Sequence, residues 1–403
     1  MKRIHYYLGI IALIAMSASC SSDEPAAPIA DNKIETDANF LSVDDALVNA
    51  RKAFKVMLGK EKSSTRADVD AEMFIPASKT RGTGESLYGY YVINYGNGDG
   101  FALVSADRRR VPVLALSDEG SMHLSDTTNI PGLSWYLNDH LADMDVSGSI
   151  SIPSIPVDTT LHQFDPYINP VRTDYCEPLI TGFMSRFHQR WPYNKYCPTI
   201  NGERTLVGCG PLALGTIVGY YKYPNTIEGQ LMNWNQMYQQ IYHDSWSRLF
   251  EIMGRPQYLN ATYGVDATNV QPYKYVDAVN RLGYSDAKYV AFNTNDMRTQ
   301  LKMKRPVFMA GYEYVSDKVY GHAWVADGGY QIYYRRATID DPNHLQQDYY
   351  YHIIWGWGGS ANGYYLYTST TLGGNPHKPD AGTSASAPVF KNLYMGIGHA
   401  PNQ

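Results

Sequence analysis

Cysteine is scarce in this chain: among 403 residues there are four, Cys20, Cys176, Cys197 and Cys209. Basic charge is not in excess, because 34 Lys and Arg stand against 39 Asp and Glu, for a net charge of −5. Nucleic-acid binding needs a basic face and is not expected. The apolar run near the N-terminus is too short for a spanning helix of ~20 residues. Neither C-x-x-C nor H-E-x-x-H spacing occurs, so no zinc site is expected. No metal or organic cofactor is called for, and no repeat of solenoid or propeller period is visible.

What is present begins at the N-terminus. Lys2 and Arg3 precede an apolar run from about Leu8 to Ala18, the pattern of a secretory signal at 1–19. Ser17, Ala18 and Ser19 lead into Cys20, and Ser21, Ser22, Asp23 and Glu24 follow. This looks like a lipobox with Cys20 as the lipidated first residue. It implies export, membrane attachment through that lipid, and an outer-membrane or cell-surface address. Residues 20–38 read as a polar tether. The 35 tyrosines point to half-buried strands and exposed binding surfaces.

From Leu41 the pattern is helical. Ser42 and Asp45 resemble a capping box, and Leu47, Ala50, Phe54, Met57 and Leu58 form one stripe before Gly59. Residues 88–122 then read as strand, turn, strand, turn, strand, with Asn97-Gly98-Asp99-Gly100 as a hairpin turn. The segment 39–147 is thus a small α+β unit, and 148–172, rich in Pro and Ser, is a cleavable linker. The second unit, 173–403, holds a helix after Cys209 and helical patterns around 275–282 and 295–303. Strands are expected at 306–312, 321–329, 349–359 and 362–367, and a last one at "NLYMGIG". A Gly/Pro/Ser-rich loop lies at 372–388. Asp340-Asp341-Pro342-Asn343-His344 reads as a surface turn in preference to a calcium site.

The chemistry gathers around Cys209. It lies between Gly208 and Gly210, with Pro211 starting a helix. A thiol at a helix N-terminus meets the positive end of the dipole, which favours thiolate. The flanking glycines would let a substrate backbone approach the sulfur. If Cys176 and Cys197 pair across their short loop, Cys209 is left as a free thiol in an exported protein. A thiolate nucleophile needs a base. His322, in "YGHAWVADGG", stands at a strand start 113 residues further on. "WGWGG" (355–359) supplies a tryptophan wall for an imidazole, and Gln189 supplies an amide of the kind that stabilises an oxyanion.

In order and spacing these pieces resemble the streptopain-type cysteine peptidases, a papain-fold family made as zymogens. "QRWPYN", "GCGPLALGTIVGYYKYP", "GHAWVADG" and "HIIWGWGGSANGYYL" resemble its site segments. "GFALVSADRRRVPVLALSDEG" is similar to its inhibitory prodomain. The resemblance implies an α+β fold: a papain-like two-subdomain peptidase behind a small α+β prodomain. It implies Cys209 as nucleophile, His322 as base and acid, Gln189 with the Cys209 N–H as oxyanion hole, and Trp355 beside His322. The partners implied are protein or peptide substrates and the chain's own prodomain.

Two departures stand out. The family usually has asparagine just before that tryptophan, to orient the imidazole, where this chain has Ile354. Either a backbone carbonyl or another side chain must take the task, and Asp327 and His352 lie near in sequence. Gly210-Pro211 also replaces the small apolar residues usual after the cysteine. Ile354 leaves a second reading open, a weakened peptidase fold that binds proteins or glycans through exposed tyrosines. A third is a cysteine hydrolase or acyltransferase acting on something other than protein.

Overall fold

Helix α1 (Val43–Ala53) is the first helix among the described residues, and its N-cap is the expected one: the Ser42 hydroxyl oxygen accepts from the Asp45 N–H at 3.2 Å. Leu47, Ala50, Phe54 and Met57 of the stripe are buried. The helix widens into one π-helical turn, Phe54–Leu58, which Gly59 ends at φ +66°. In this computed structural model the described residues are 40–63, 66–74, 89–96, 98–107, 111–128, 130–137, 168–241, 243–315, 318–335, 345–372, 393–398 and 400–401. The expected signal, Cys20, the tether, linker residues 148–167, the 340–344 turn and most of the 372–388 loop lie outside them.

Four strands follow α1: β1 (Val69–Phe74), β2 (Tyr90–Tyr95), β3 (Phe101–Ser105) and β4 (Val113–Ser117). They pair antiparallel in sequence order, and α1 packs on them. A short helix, α2 (Pro131–Trp135), comes next. Strand β5 (Ile168–Cys176) begins inside the segment expected to be linker. Residues 168–172 are therefore strand, paired with the far half of a long later strand.

The second unit carries helices α3 (Cys209–Tyr221), α4 (Trp234–Gln239), α5 (Asp244–Gly254), α6 (Tyr275–Arg281) and α7 (Thr294–Lys302). Its further strands are β6 (Lys288–Ala291), β7 (Val307–Val315), β8 (Lys318–Arg335), β9 (Leu345–Ile354), β10 (Gly363–Leu372) and β11 (Leu393–Ile397). All join one sheet in the order β1-β2-β3-β4-β10-β9-β8-β7-β11-β6, with β5 on β8. The two units meet where β4 pairs with β10, at Leu116↔Tyr364 and Ala115↔Tyr365. Gly363 permits this approach, because a Cβ there would lie 2.8 Å from the Leu116 carbonyl oxygen.

Alternation along β8 divides the core. Ala323 and Val325 face a helical core built on α3, α5 and α6, whereas Trp324 and Ala326 face the core shared with α1 and the first strands. Within the helical core, α3 lies close to α5. A Cβ at Gly215 would be 2.6 Å from Phe250, and one at Gly219 would be 2.7 Å from Trp246, so these two glycines permit the close approach.

Two expectations are corrected. Cys176 and Cys197 are free thiols. Cys176 packs at the end of β5 beside the sheet core, and Cys197 is buried in the helical core, so the short sequence gap between them does not bring them together. The tyrosines are largely buried rather than displayed: Tyr90, Tyr136, Tyr275, Tyr330, Tyr350 and Tyr351 are among the largest fully buried side chains. Several tie the units together through the hydroxyl. Tyr136 donates to the carbonyls of Leu114 and Leu366, and Tyr350 to that of Val113.

Candidate active site

The loop before α3 is shaped by glycine. Gly208, the N-cap, has φ +92°, and a Cβ there would crowd Thr268 at 2.8 Å. Thr268 in turn donates to the Leu206 carbonyl. Helix α3 starts at Cys209 itself, two residues before Pro211. A Cβ on Gly210 would lie 2.7 Å from Val270. This glycine therefore serves packing of the buried helix start, where the sequence had suggested room for substrate.

Cys209 is partly accessible. Burial pushes its thiol above the ordinary range, while the N–H groups of Ala323, Gly210 and Cys209 itself pull the other way. The Ala323 N–H donates to Sγ at 3.3 Å, so the sulfur touches β8 one residue past His322. Gln189 is buried, and its carbonyl accepts from the Val207 N–H at 3.0 Å, which draws it to the loop two residues before Cys209.

His322 shares its face of β8 with Trp324. Its ring stacks on Trp324 at 6.0 Å and on Trp355 at 6.3 Å between centroids. Its Nε2 lies 3.2 Å from the Trp355 carbonyl oxygen. A carbonyl only accepts, so Nε2 carries the proton and Nδ1 is left as the base. Burial lowers the imidazole to about 4, against a smaller opposing effect of that hydrogen bond. Among the described residues Cys209 and His322 share no hydrogen bond.

Helix α2 lies against the imidazole. A Cβ on Gly132 would sit 2.5 Å from Trp355 Cζ3 and 2.7 Å from His322 Cδ2, so the backbone of α2 rests directly on both rings. Trp135 of the same helix stacks on Trp324 at 5.9 Å. The α+β unit at the front of the chain thus covers the candidate base and the tryptophans beside it.

All four residues singled out by sequence come to this region. Ile354 is buried in the helical core, and its missing amide is replaced by the Trp355 main-chain carbonyl. Asp327 and His352 do not serve: they pair with each other at 2.6 Å, and Asp327 also accepts from the Ile180 N–H. Sequence reasoning missed Trp324, Gly132 and Asn362. The Asn362 Oδ1 accepts from the Trp355 N–H at 3.0 Å, and its Nδ2 donates to the Ser185 carbonyl at 2.7 Å. Only the Trp324 ring, two residues past His322 on one strand face, left a signal that could have been read.

Known proteins bear on this geometry. Residues 38–144 match the family described as Spi protease inhibitor, and residues 187–251 and 255–365 match the Peptidase C10 family. The thiol protease/hemagglutinin PrtT of Porphyromonas gingivalis is 25% identical over 91% of this chain, which spans 41% of that protein. Streptopain of Streptococcus pyogenes is 23% identical over 68% of this chain and 73% of its own length. Among solved structures, a fragment of Prevotella intermedia prointerpain A matches with a TM-score of 0.50 at 19% identity. That match covers 78% of this chain and 96% of the fragment, and it supports the α+β peptidase-with-prodomain architecture.

Proposed function

Because the chain belongs to the Peptidase C10 family and carries a Spi protease inhibitor region ahead of the catalytic one, we propose that it is the zymogen of an exported cysteine endopeptidase. Cys209 is its nucleophile and His322 its base. The observation that carries this reading is the seat of Gly132 on His322 and Trp355: an inhibitor region lies on the residues whose chemistry it would silence.

In the released enzyme, His322 Nδ1 takes the proton of the Cys209 thiol, and the thiolate attacks a peptide carbonyl carbon. The C=O electron pair moves onto oxygen, and that oxyanion is held by the Cys209 N–H and the Gln189 amide. As the C–N bond breaks, the imidazolium gives its proton to the departing amine. Water, deprotonated by Nδ1, then attacks the thioester, and the acid leaves as the thiol is restored.

In the precursor, the lipid on Cys20 anchors the chain and cleavage within 148–167, ahead of β5, frees the catalytic unit. The N-terminal pattern and the composition of that segment support this. The reading as a surface binding module loses its main motive, because the tyrosines it relied on are mostly buried.

The test is to follow the mass of residues 21–403 and of its C209A variant in reducing buffer. The parent is expected to shorten to about 26 kDa, the size of one ordinary domain, while the variant stays whole. A catalytic unit released by an added protease that still cannot cut casein would overturn the reading. For the anchor, labelled fatty acid should enter the full chain and not its C20A variant.

A further inference from the structure

The replacement of a triad asparagine by Ile354 leaves the imidazole in the care of a main-chain carbonyl. A carbonyl is a good orienter only if its own peptide plane is fixed. The Trp355–Gly356 peptide is poorly fixed by its sequence. Gly356 has φ +81° and Gly358 φ +74°, so the chain beyond the carbonyl has the freedom of glycine. On that side it is held by the Gly358 N–H donating to Phe187 and by a bridge of Trp357 to His188. On the near side the tie is Asn362, whose amide spans from the Trp355 N–H, in the peptide just before the one that carries the carbonyl, to the Ser185 carbonyl.

We propose that Asn362 is the positioning residue of this peptidase: by tying the Trp355 N–H to the Ser185 carbonyl through its own amide, it fixes the backbone that leads into the Trp355 carbonyl and so aims that carbonyl at His322 Nε2. The inference rests on the peptidase reading above. Asn362 touches neither sulfur nor imidazole and acts through Trp355. It holds the proton on Nε2 and so keeps Nδ1 unprotonated for the thiol. The geometry fits an amide in particular. One end must accept from an N–H and the other must donate to a carbonyl, at 3.0 and 2.7 Å, and among side chains of this length only an amide offers both. Leucine has the same branch and neither group. Aspartate keeps the acceptor and loses the donor.

Two readouts separate this role from a merely structural one. The first needs no activity. In the full chain carrying C209A, which cannot process itself through Cys209, the ring nitrogens of His322 are followed by 15N NMR at pH 7, assigned by loss of the signal in C209A/H322Q. The Nε2–H tautomer is expected alone with Asn362, and a mixture or the Nδ1–H tautomer with N362L. The second uses the processed enzyme. N362L should lower kcat by on the order of tenfold to a hundredfold, the cost of misplacing a reacting group, with KM changed less than about twofold. N362D should fall between the two.

An unchanged tautomer in a folded N362L chain overturns the proposal, as does a loss confined to KM. If the parent enzyme is inactive but the tautomer shifts with N362L, positioning stands and the peptidase reading fails. If N362L does not fold, N362D carries the same tautomer test.

Discussion

Gly132 is the most exposed point of the inhibitory arrangement to a small perturbation. In an ordinary helix, glycine to alanine stabilises by about 1 kcal/mol. Here the new methyl would meet Trp355 Cζ3 at 2.5 Å, His322 Cδ2 at 2.7 Å and Trp355 Cε3 at 2.8 Å. None of these atoms is the tip of a flexible chain. Trp355 is itself packed edge-on against Tyr365 at 5.3 Å and tilted on Trp324 at 5.4 Å, so the rings cannot retreat. Overpacking of this kind costs about 1–3 kcal/mol. At 1.4 kcal/mol per factor of ten, the closed state of G132A should be weakened roughly fivefold to a hundredfold. The assay is the rate at which the full chain shortens at low concentration, where cleavage in trans is slow, with urea unfolding of the matching C209A and C209A/G132A pair. G132A should process faster, and its C209A form should be less stable than C209A alone. A stabilised chain that processes no faster would refute the seating of α2, because helix propensity would then be the only effect of the methyl.

Three further outcomes follow from the same geometry. Cys209 in the zymogen should react with iodoacetamide at pH 7 more slowly than a free peptide thiol and speed up at least about tenfold once the first unit is removed; Cys176 and Cys197, pushed up to about 11 and about 12 by burial, should stay unreactive, as peptide mapping of the alkylated sites will reveal. For His322 the folded value of about 4 lies below the ordinary 6.5, so the unfolded chain binds its proton first; the native state is undiminished above pH 6.5 and loses up to about 3 kcal/mol as pH falls to 4, a loss that urea titrations should find in C209A and not in C209A/H322Q. Finally, D327N should destabilise by about 3 kcal/mol, because it removes a fully buried carboxylate from its pair with a partly buried His352, while kcat of the folded enzyme stays within about twofold; a collapse of kcat would mean that Asp327 reaches His322 after all.

The parts of the site written in local sequence were legible. Gly208-Cys209-Gly210 and the helix behind it depend on neighbours in the chain, and His322 follows from an apolar strand with glycine before it, although that strand begins four residues earlier, at Lys318. Their assembly was readable only through the order of the segments. What escaped was non-local or carried by the backbone. A carbonyl that orients an imidazole has no residue type, so the loss of asparagine at Ile354 looked like damage when the function had moved to Trp355. Asn362 reads in the sequence only as the first residue of a strand at 362–367, because half of its partnership, with Ser185, spans 177 positions. The supposed bridge between Cys176 and Cys197 failed because closeness in sequence was taken for closeness in space. Strand β5 was taken for linker because its first residues, Ile168-Asn169-Pro170-Val171, follow a Pro-rich segment and Val171 is 59% exposed. The continuity of the sheet across β4 and β10 rests on two residue pairs, too few to leave a pattern.

The inhibition works on protons as much as on access. A thiol with an ordinary value of 9.0, raised further by burial, faces an imidazole lowered to about 4. Before any attraction between the charges, moving the proton from sulfur to nitrogen is then uphill. Both shifts have burial as their largest cause, and α2 supplies part of the imidazole's burial through Gly132. Departure of the first unit therefore does more than clear a path for substrate. It returns water to the imidazole, which raises its affinity for a proton, and it lets Nδ1 approach the sulfur, so that each charge then favours the other. Because these effects act on one transfer, they multiply in the population of the ion pair. A seat loosened by a few kcal/mol is enough to begin cleavage, and each chain that is cut removes the burial that held its own dyad neutral.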